Sequence, residues 1–433
     1  MTSGALTSGL NAVRPAAAAE PGVQNAPPPA LPGVHFAAAL GFFVCGGLGL
    51  VAVAPALAGG LFFLPSVAAV VHLFVLGWVV LSIFGALCQF LPVAVGKPMR
   101  WTALAHASFA AQVAGVLLFV CGLLRESGGL LLTGATLLTC AFTLFAVNLA
   151  ATLAQAKARS LTWWALAGAA LFLLVIPAYG VAIALNLHGG LVIEHRFTVI
   201  ALHAHIAILG LVMLVMVGVS QRLLPMFLLA HGVRDGAARA AVALLFGAAC
   251  VLAAPVGGTP RFIAGAALAA GGVVAFLVQA ALYFKHRMRR RIDPGMRLAA
   301  AGLIGLVAAL GLAPFALHRG VADLHLLSTY FVVLLGAICL FVAGHYFKIV
   351  PFIVWYHRFG PQVGLRRVPK VAELYSEKVA LLNGALLVCG WLGLAVATYL
   401  GSPILARAGA VLFAAGAVLE VVVLARVARR RLA

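Results

Sequence analysis

Acidic residues are scarce in this chain. Among 433 residues only nine are Asp or Glu, against 29 Lys and Arg, and all charged residues together make up 9%. Ordinary soluble domains carry about 25% charged residues, so this composition excludes a soluble globular protein. Seven cysteines occur, Cys45, Cys88, Cys121, Cys140, Cys250, Cys339 and Cys389, and none forms C-x-x-C. All fall in apolar runs, which excludes a disulfide framework or a zinc ribbon and predicts small buried hydrophobes. A continuous signal-peptide core is also missing from residues 1–33, which are rich in Ala and Pro; we expect a disordered cytoplasmic tail there. The formal charge of +20 suggests nucleic acid at first sight. The basic residues lie between apolar runs rather than on one soluble face, so no nucleic-acid partner is expected. Positive-inside topology and anionic headgroups explain them better.

Long hydrophobic runs fill the rest. The chain is 64% hydrophobic with a mean hydropathy of +1.15. At roughly 20 apolar residues per crossing, about twelve membrane helices follow, over 34–58, 66–95, 102–123, 128–155, 162–186, 197–227, 238–256, 261–284, 296–316, 323–355, 378–399 and 403–427. The expected fold is an all-α polytopic membrane protein with one membrane domain, 34–430, and no extramembrane domain. Basic clusters follow the even-numbered helices (Lys97 and Arg100; Lys157 and Arg159; Arg234 and Arg239; Lys285 to Arg297; Arg358 to Lys370; Arg426 to Arg431). Both termini are therefore expected in the cytoplasm of a bacterial inner membrane, and the second, sixth and tenth helices run from the outer face inward. Of the nine acids only Glu420 sits well inside an apolar run, near the basic C-terminal end.

Those three helices share a frame. Gly77, Gly85 and Pro92 in the second, Gly210, Gly218 and Pro225 in the sixth, and Gly336, Gly344 and Pro351 in the tenth each read G-x7-G-x6-P. We expect three diverged four-helix units, about 34–156, 161–285 and 296–430, with these helices central. The glycines mark close backbone approach or room for a flat ligand, and the proline is expected to end the inner part of each helix. His72 and His205 both lie five residues before the first glycine; Phe331 takes that place in the tenth helix. Twenty residues from the proline, about 30 Å at 1.5 Å per residue, put both imidazoles near the outer leaflet.

Imidazoles in a membrane span are costly and usually functional. His203 and His205 share one helix two residues apart, so they point about 200° away from each other. That suits a helix between two cofactor pockets, or between a pocket and a polar partner. Imidazole binds haem iron, copper or zinc, so His72, His203, His205 and, at the start of the tenth helix, His325 are candidate ligands; the alternative for each is hydrogen bonding to a neighbouring helix. Arg125 and Arg196 are outer-side cations suited to haem propionates or to lipid headgroups. His345 is expected to be packed and hydrogen-bonded, and His35, His231, His286 and His357 to anchor the cytoplasmic interface. Gln89, Arg222 and Lys348, each three residues before a frame proline, are expected to snorkel to that interface.

The motif His203-x-His205-x4-Gly210-x7-Gly218-x6-Pro225 resembles the H-x-H helix of the haem–copper oxidase catalytic subunit, above all in the cbb-type oxidases. His72, with Leu91-Pro92 closing its helix, is similar to the helix there that supplies the opposite low-spin haem ligand. The same frame looks like the NnrS family of twelve-helix haem- and copper-containing membrane proteins linked to nitric oxide. The resemblance implies twelve helices in a pseudo-threefold array, a haem of b type bound by two of His72, His203 and His205, and copper as a second candidate metal. It implies redox, electron-transfer, nitric oxide or dioxygen chemistry, with other respiratory subunits, a c-type cytochrome or a quinol as partners. The motifs cover the second, sixth and tenth helices only. The His-Pro-Glu element and the His-His pair of the oxidase copper site are missing, so no complete catalytic site is visible. His72 is left free to pair with either His203 or His205. A metal or haem transporter and an assembly partner of a respiratory complex are the competing readings.

Overall fold

The computed structural model describes residues 28–255 and 258–431. Among these, twelve helices are long and apolar enough to cross a membrane. In lipid each backbone N–H and C=O must find a partner within its own segment, and a helix provides that. They are α1 (Ala30–Ala58), α2 (Pro65–Val95), α3 (Thr102–Leu124), α4 (Gly128–Leu153), α5 (Leu161–Leu187), α6 (Arg196–Leu228), α7 (Gly236–Ala253), α8 (Gly258–Lys285), α9 (Pro294–Ala322), α10 (Leu324–Arg358), α11 (Glu377–Tyr399) and α12 (Pro403–Arg429). The helix starts follow local chemistry. Asp293 accepts from the Met296 amide at 3.2 Å, with Pro294 at the first helical position of α9, and Asp323 accepts from Leu326 at 3.0 Å to start α10.

Nine helices form a closed ring in the order α1, α3, α4, α5, α7, α8, α9, α11, α12 and back to α1. Inside it, α2 packs on α1, α3 and α4, α6 on α5, α7 and α8, and α10 on α9, α11 and α12. The three inner helices are the most enclosed: 61%, 61% and 67% of their central windows are buried, and no other helix exceeds 50%. Ring helices instead expose large apolar side chains such as Leu48, Ile304, Phe315 and Ile404, a surface that fits lipid chains. Cys45, Cys121, Cys140 and Cys389 lie on exposed faces, which corrects the expectation that every cysteine is buried.

The frame glycines are contact points. A methyl group at Gly77 would come within 2.6 Å of Phe42 on α1, one at Gly85 within 2.7 Å of the His35 Cβ, and one at Gly218 within 2.7 Å of Ala165 on α5. At Gly210 it would meet Phe172, at Gly336 the Trp391 indole, and at Gly344 the backbone of Gly295 and Ala299. Each glycine therefore serves close approach to a neighbouring ring helix, and Gly336 also borders the cavity lined by His72 and His203. The frame prolines stop α2 and α6 within a turn, where Gly96 and Leu229 adopt left-handed conformations. In α10 the helix runs seven residues past Pro351 to Arg358, so there the expected stop is absent.

Two sequence expectations shift. Residues 1–27 lie outside the described residues, but Ala30–Gly33 form the first turn of α1 rather than part of a tail. His35 is consequently fully buried, its Nδ1–H donating to Leu31 O at 2.8 Å with its ring 4.7 Å from Phe109, and does not anchor an interface. His231, His286 and His357 are exposed at helix ends as expected.

Candidate functional site

Two inner helices leave regular α geometry next to their histidines. Leu73–Val80 of α2 and Ile208–Met213 of α6 are π-helical. His72 directly precedes the first segment, and His203 and His205 lie in the turn before the second. Such turns are rare and concentrate at functional sites. Around the matching Gly336, α10 stays α-helical throughout.

A cavity of about 290 Å³ lies among the N-terminal halves of α2, α6 and α10. His72 and His203 both line it; the remaining wall is apolar and includes Phe74, Ile176, Phe331 and Trp391. His72 Nδ1 is 2.7 Å from Ala68 O one turn back. A carbonyl only accepts, so Nδ1 carries the hydrogen and Nε2 keeps its lone pair, with no hydrogen bond of its own. The His72 ring is further held by Phe119, 4.9 Å away. His203 packs beside α5, where a methyl at Gly180 would touch its Cε1 at 3.4 Å. Its Nδ1 is buried without a partner.

His205 is placed differently. Its Nδ1 donates to Ala201 O at 2.7 Å and its Nε2 is 3.0 Å from the Tyr330 hydroxyl of α10, with the two rings nearly parallel. Both nitrogens are thus engaged, and His205 does not line the cavity. Of the two pairings the sequence leaves open, the structure brings His72 and His203 to one cavity and turns His205 toward α10. His325 is not with them. Its Nδ1 lies 3.3 Å from Thr398 O, at the α11 end beside Gly401. Arg196 is exposed over Phe197, and Arg125 caps α3 in an exposed position; neither lines the cavity. Among the described residues no group of three or more His, Cys, Asp or Glu is arranged to hold a metal ion.

Elsewhere on the frame, His345 is buried with Nδ1 2.8 Å from Phe341 O and packs between Phe341 and Phe227. Lys348 bonds Asp293, the N-cap residue of α9, at 2.7 Å and lies over the Phe227 ring. Arg222 lines a pocket with Lys97 and Lys157. Tyr330 was not singled out from sequence, although a phenol inside an apolar run next to Phe331 is a readable signal. No protein-family model matches the chain, and no curated protein matches it.

Proposed function

We propose that this chain is a haem-binding integral membrane protein whose cofactor sits in the apolar cavity between His72 and His203. One observation carries the reading: two membrane-embedded imidazoles line the same cavity, each with a ring nitrogen that no protein group engages. Apolar walls and imidazole donors fit a macrocycle that is apolar on both faces and takes axial nitrogen ligands. The fit is incomplete at its acidic edge, since no cation lines the cavity. Ala68 O fixes the His72 tautomer and aims Nε2 away from its own helix, the usual outer-shell support for a metal-binding imidazole. The bound group would supply one-electron redox chemistry; the chain's share is to hold it, exclude water and set its axial field. His72 and His203 would hold it, and a group held by two imidazoles would serve electron transfer rather than gas activation; no turnover reaction is assigned. The three four-helix units, the bacterial inner membrane and the cytoplasmic termini belong to the same reading, supported by the shared glycine frame and the basic connections.

An optical spectrum of the detergent-extracted protein tests it. A Soret band that moves on reduction and ignores carbon monoxide is expected. A colourless protein from haem-replete cells overturns the reading and leaves transport as the better one. A carbon monoxide shift overturns the two-histidine assignment while keeping the haem.

A further inference from the structure

One acid stands apart from the others. Seven of the nine, Glu126, Glu194, Asp235, Asp293, Asp323, Glu373 and Glu377, lie at loops or helix ends, and Glu20 precedes the described residues. Glu420 is wholly buried in α12, and neither carboxyl oxygen has a hydrogen-bond partner. It lies nine residues from the end of its helix at Arg429, about 14 Å along the axis. Polar groups face this part of α12 from α10 and from α11, where Asn383 donates to Gly416 O at 2.7 Å and keeps its Oδ1 buried without a partner. The titratable groups within electrostatic reach are Tyr346 and Cys339, both on α10. α1 meets this part of α12 through Gly47, and α11 meets it through Leu387 and Asn383, none of them titratable. The Tyr346 hydroxyl is 2.7 Å from Ser82 Oγ, which donates to Trp78 O at 2.6 Å. Trp78 packs against Tyr346 at 4.6 Å with the rings tilted by 30°, and its indole N–H is also buried without a partner.

A buried carboxylate with no cation and no donor beside it is far costlier than the neutral acid, so Glu420 carries its proton. Ionisable groups held in this way inside a membrane mark ion or proton paths. We propose that Glu420, with the Tyr346–Ser82 hydroxyl pair, forms an intramembrane site whose ligand is the proton. The carboxyl O–H bond breaks as the proton passes to a water molecule that reaches the site by way of the hydroxyl pair, leaving a carboxylate and a hydronium, and return of the proton restores the neutral acid. No electron moves. The site stands on its own geometry and does not require haem.

Infrared spectroscopy of the full chain in lipid vesicles tests this without any turnover. At neutral pH the wild type should show the C=O band of a protonated carboxylic acid. E420Q should remove that band, and E420D should displace it, which keeps the assignment secure if E420Q folds poorly. In D2O the band should move down within minutes, and Y346F should slow that exchange by an order of magnitude. Absence of a Glu420-dependent band means an ionised group and overturns the proposal. A band that never moves in D2O marks a sealed structural acid and overturns it equally. Unchanged exchange in Y346F removes the hydroxyl pair from the site.

Discussion

α2 and α6 differ from α10 although all three share one glycine–proline frame. Where α2 and α6 carry His72 and His205, α10 carries Phe331. Where they adopt π turns around the first frame glycine, α10 stays regular and its Gly336 is covered by the Trp391 indole. Three residues before the proline, Gln89 keeps a buried unpaired Oε1 and Arg222 reaches a basic pocket, while Lys348 is neutralised by Asp293. α10 is also the most enclosed of the three. The frame thus fixes how closely an inner helix approaches its ring neighbours. The chemistry is set separately, at positions that face away from the glycine stripe.

The largest effect falls on the two cavity imidazoles. His72→Ala and His203→Ala should each abolish bound haem, read as loss of the Soret band per milligram of folded protein. His205→Ala should keep it, since both nitrogens of that ring are engaged by Ala201 and Tyr330. A haem retained in His72→Ala and lost in His205→Ala would reverse the division between the two faces of α6.

Next come the second frame glycines. At Gly344 an added methyl meets main chain of α9, which cannot move aside, whereas at Gly218 it meets one methyl of Ala165. Overpacking costs about 1–3 kcal/mol, occasionally more. Gly344→Ala should therefore sit near the upper end, at about 3 kcal/mol, and Gly218→Ala near the lower, at about 1 kcal/mol. Thermal unfolding in one detergent gives the order. Equal losses would mean that α10 is no more rigidly held than α6.

The His205–Tyr330 bond joins the two kinds of helix directly. His205→Ala leaves a buried phenol unpaired, a loss of about 1–3 kcal/mol, and Tyr330→Phe should cost less because the ring volume is kept. The double variant should lose less than the sum, with a coupling of about 0.5–1.5 kcal/mol. Strict additivity would sever the link between α6 and α10.

Most of the helices were legible from sequence because periodic burial hardly matters in lipid: twenty apolar residues between basic or Gly/Pro breaks are enough. The ends of α2, α3, α6 and α11 fall within a residue of expectation. His72 and His203 were legible as candidates because a polar ring in an apolar run is rare. Which of His203 and His205 faces the cavity was not, because a π turn inserts an extra residue and rotates one half of the helix against the other. The partner of Lys348 was hidden for another reason: Asp293 is 55 residues away in sequence, and only the α9–α10 packing brings it to 2.7 Å. Glu420 was visible as an acid in an apolar run, but its lack of any partner is a property of three neighbouring helices.

The smallest effect separates two acids that follow inner or ring helices at the basic ends. Asp293 bonds the enclosed Lys348, whereas Asp235 pairs with Arg239 one turn on, through two bonds of 3.1 and 2.8 Å in which both side chains are solvent-exposed. The hydrogen bond from Arg239 holds the Asp235 carboxyl below the usual carboxylate range. A lowered value in the folded state means that the pair stabilises the fold above about pH 4 and that this contribution fades as pH falls through the lowered value. Asp235→Asn should therefore differ from the wild type only on the neutral side, with the two curves of melting temperature against pH converging in acid. Solvent screening keeps the gap small. Asp293→Asn should open a clearly larger gap, since Lys348 is left enclosed without its partner. A Asp235→Asn gap as wide as that one would mean that enclosure by α10 adds nothing to an ion pair here.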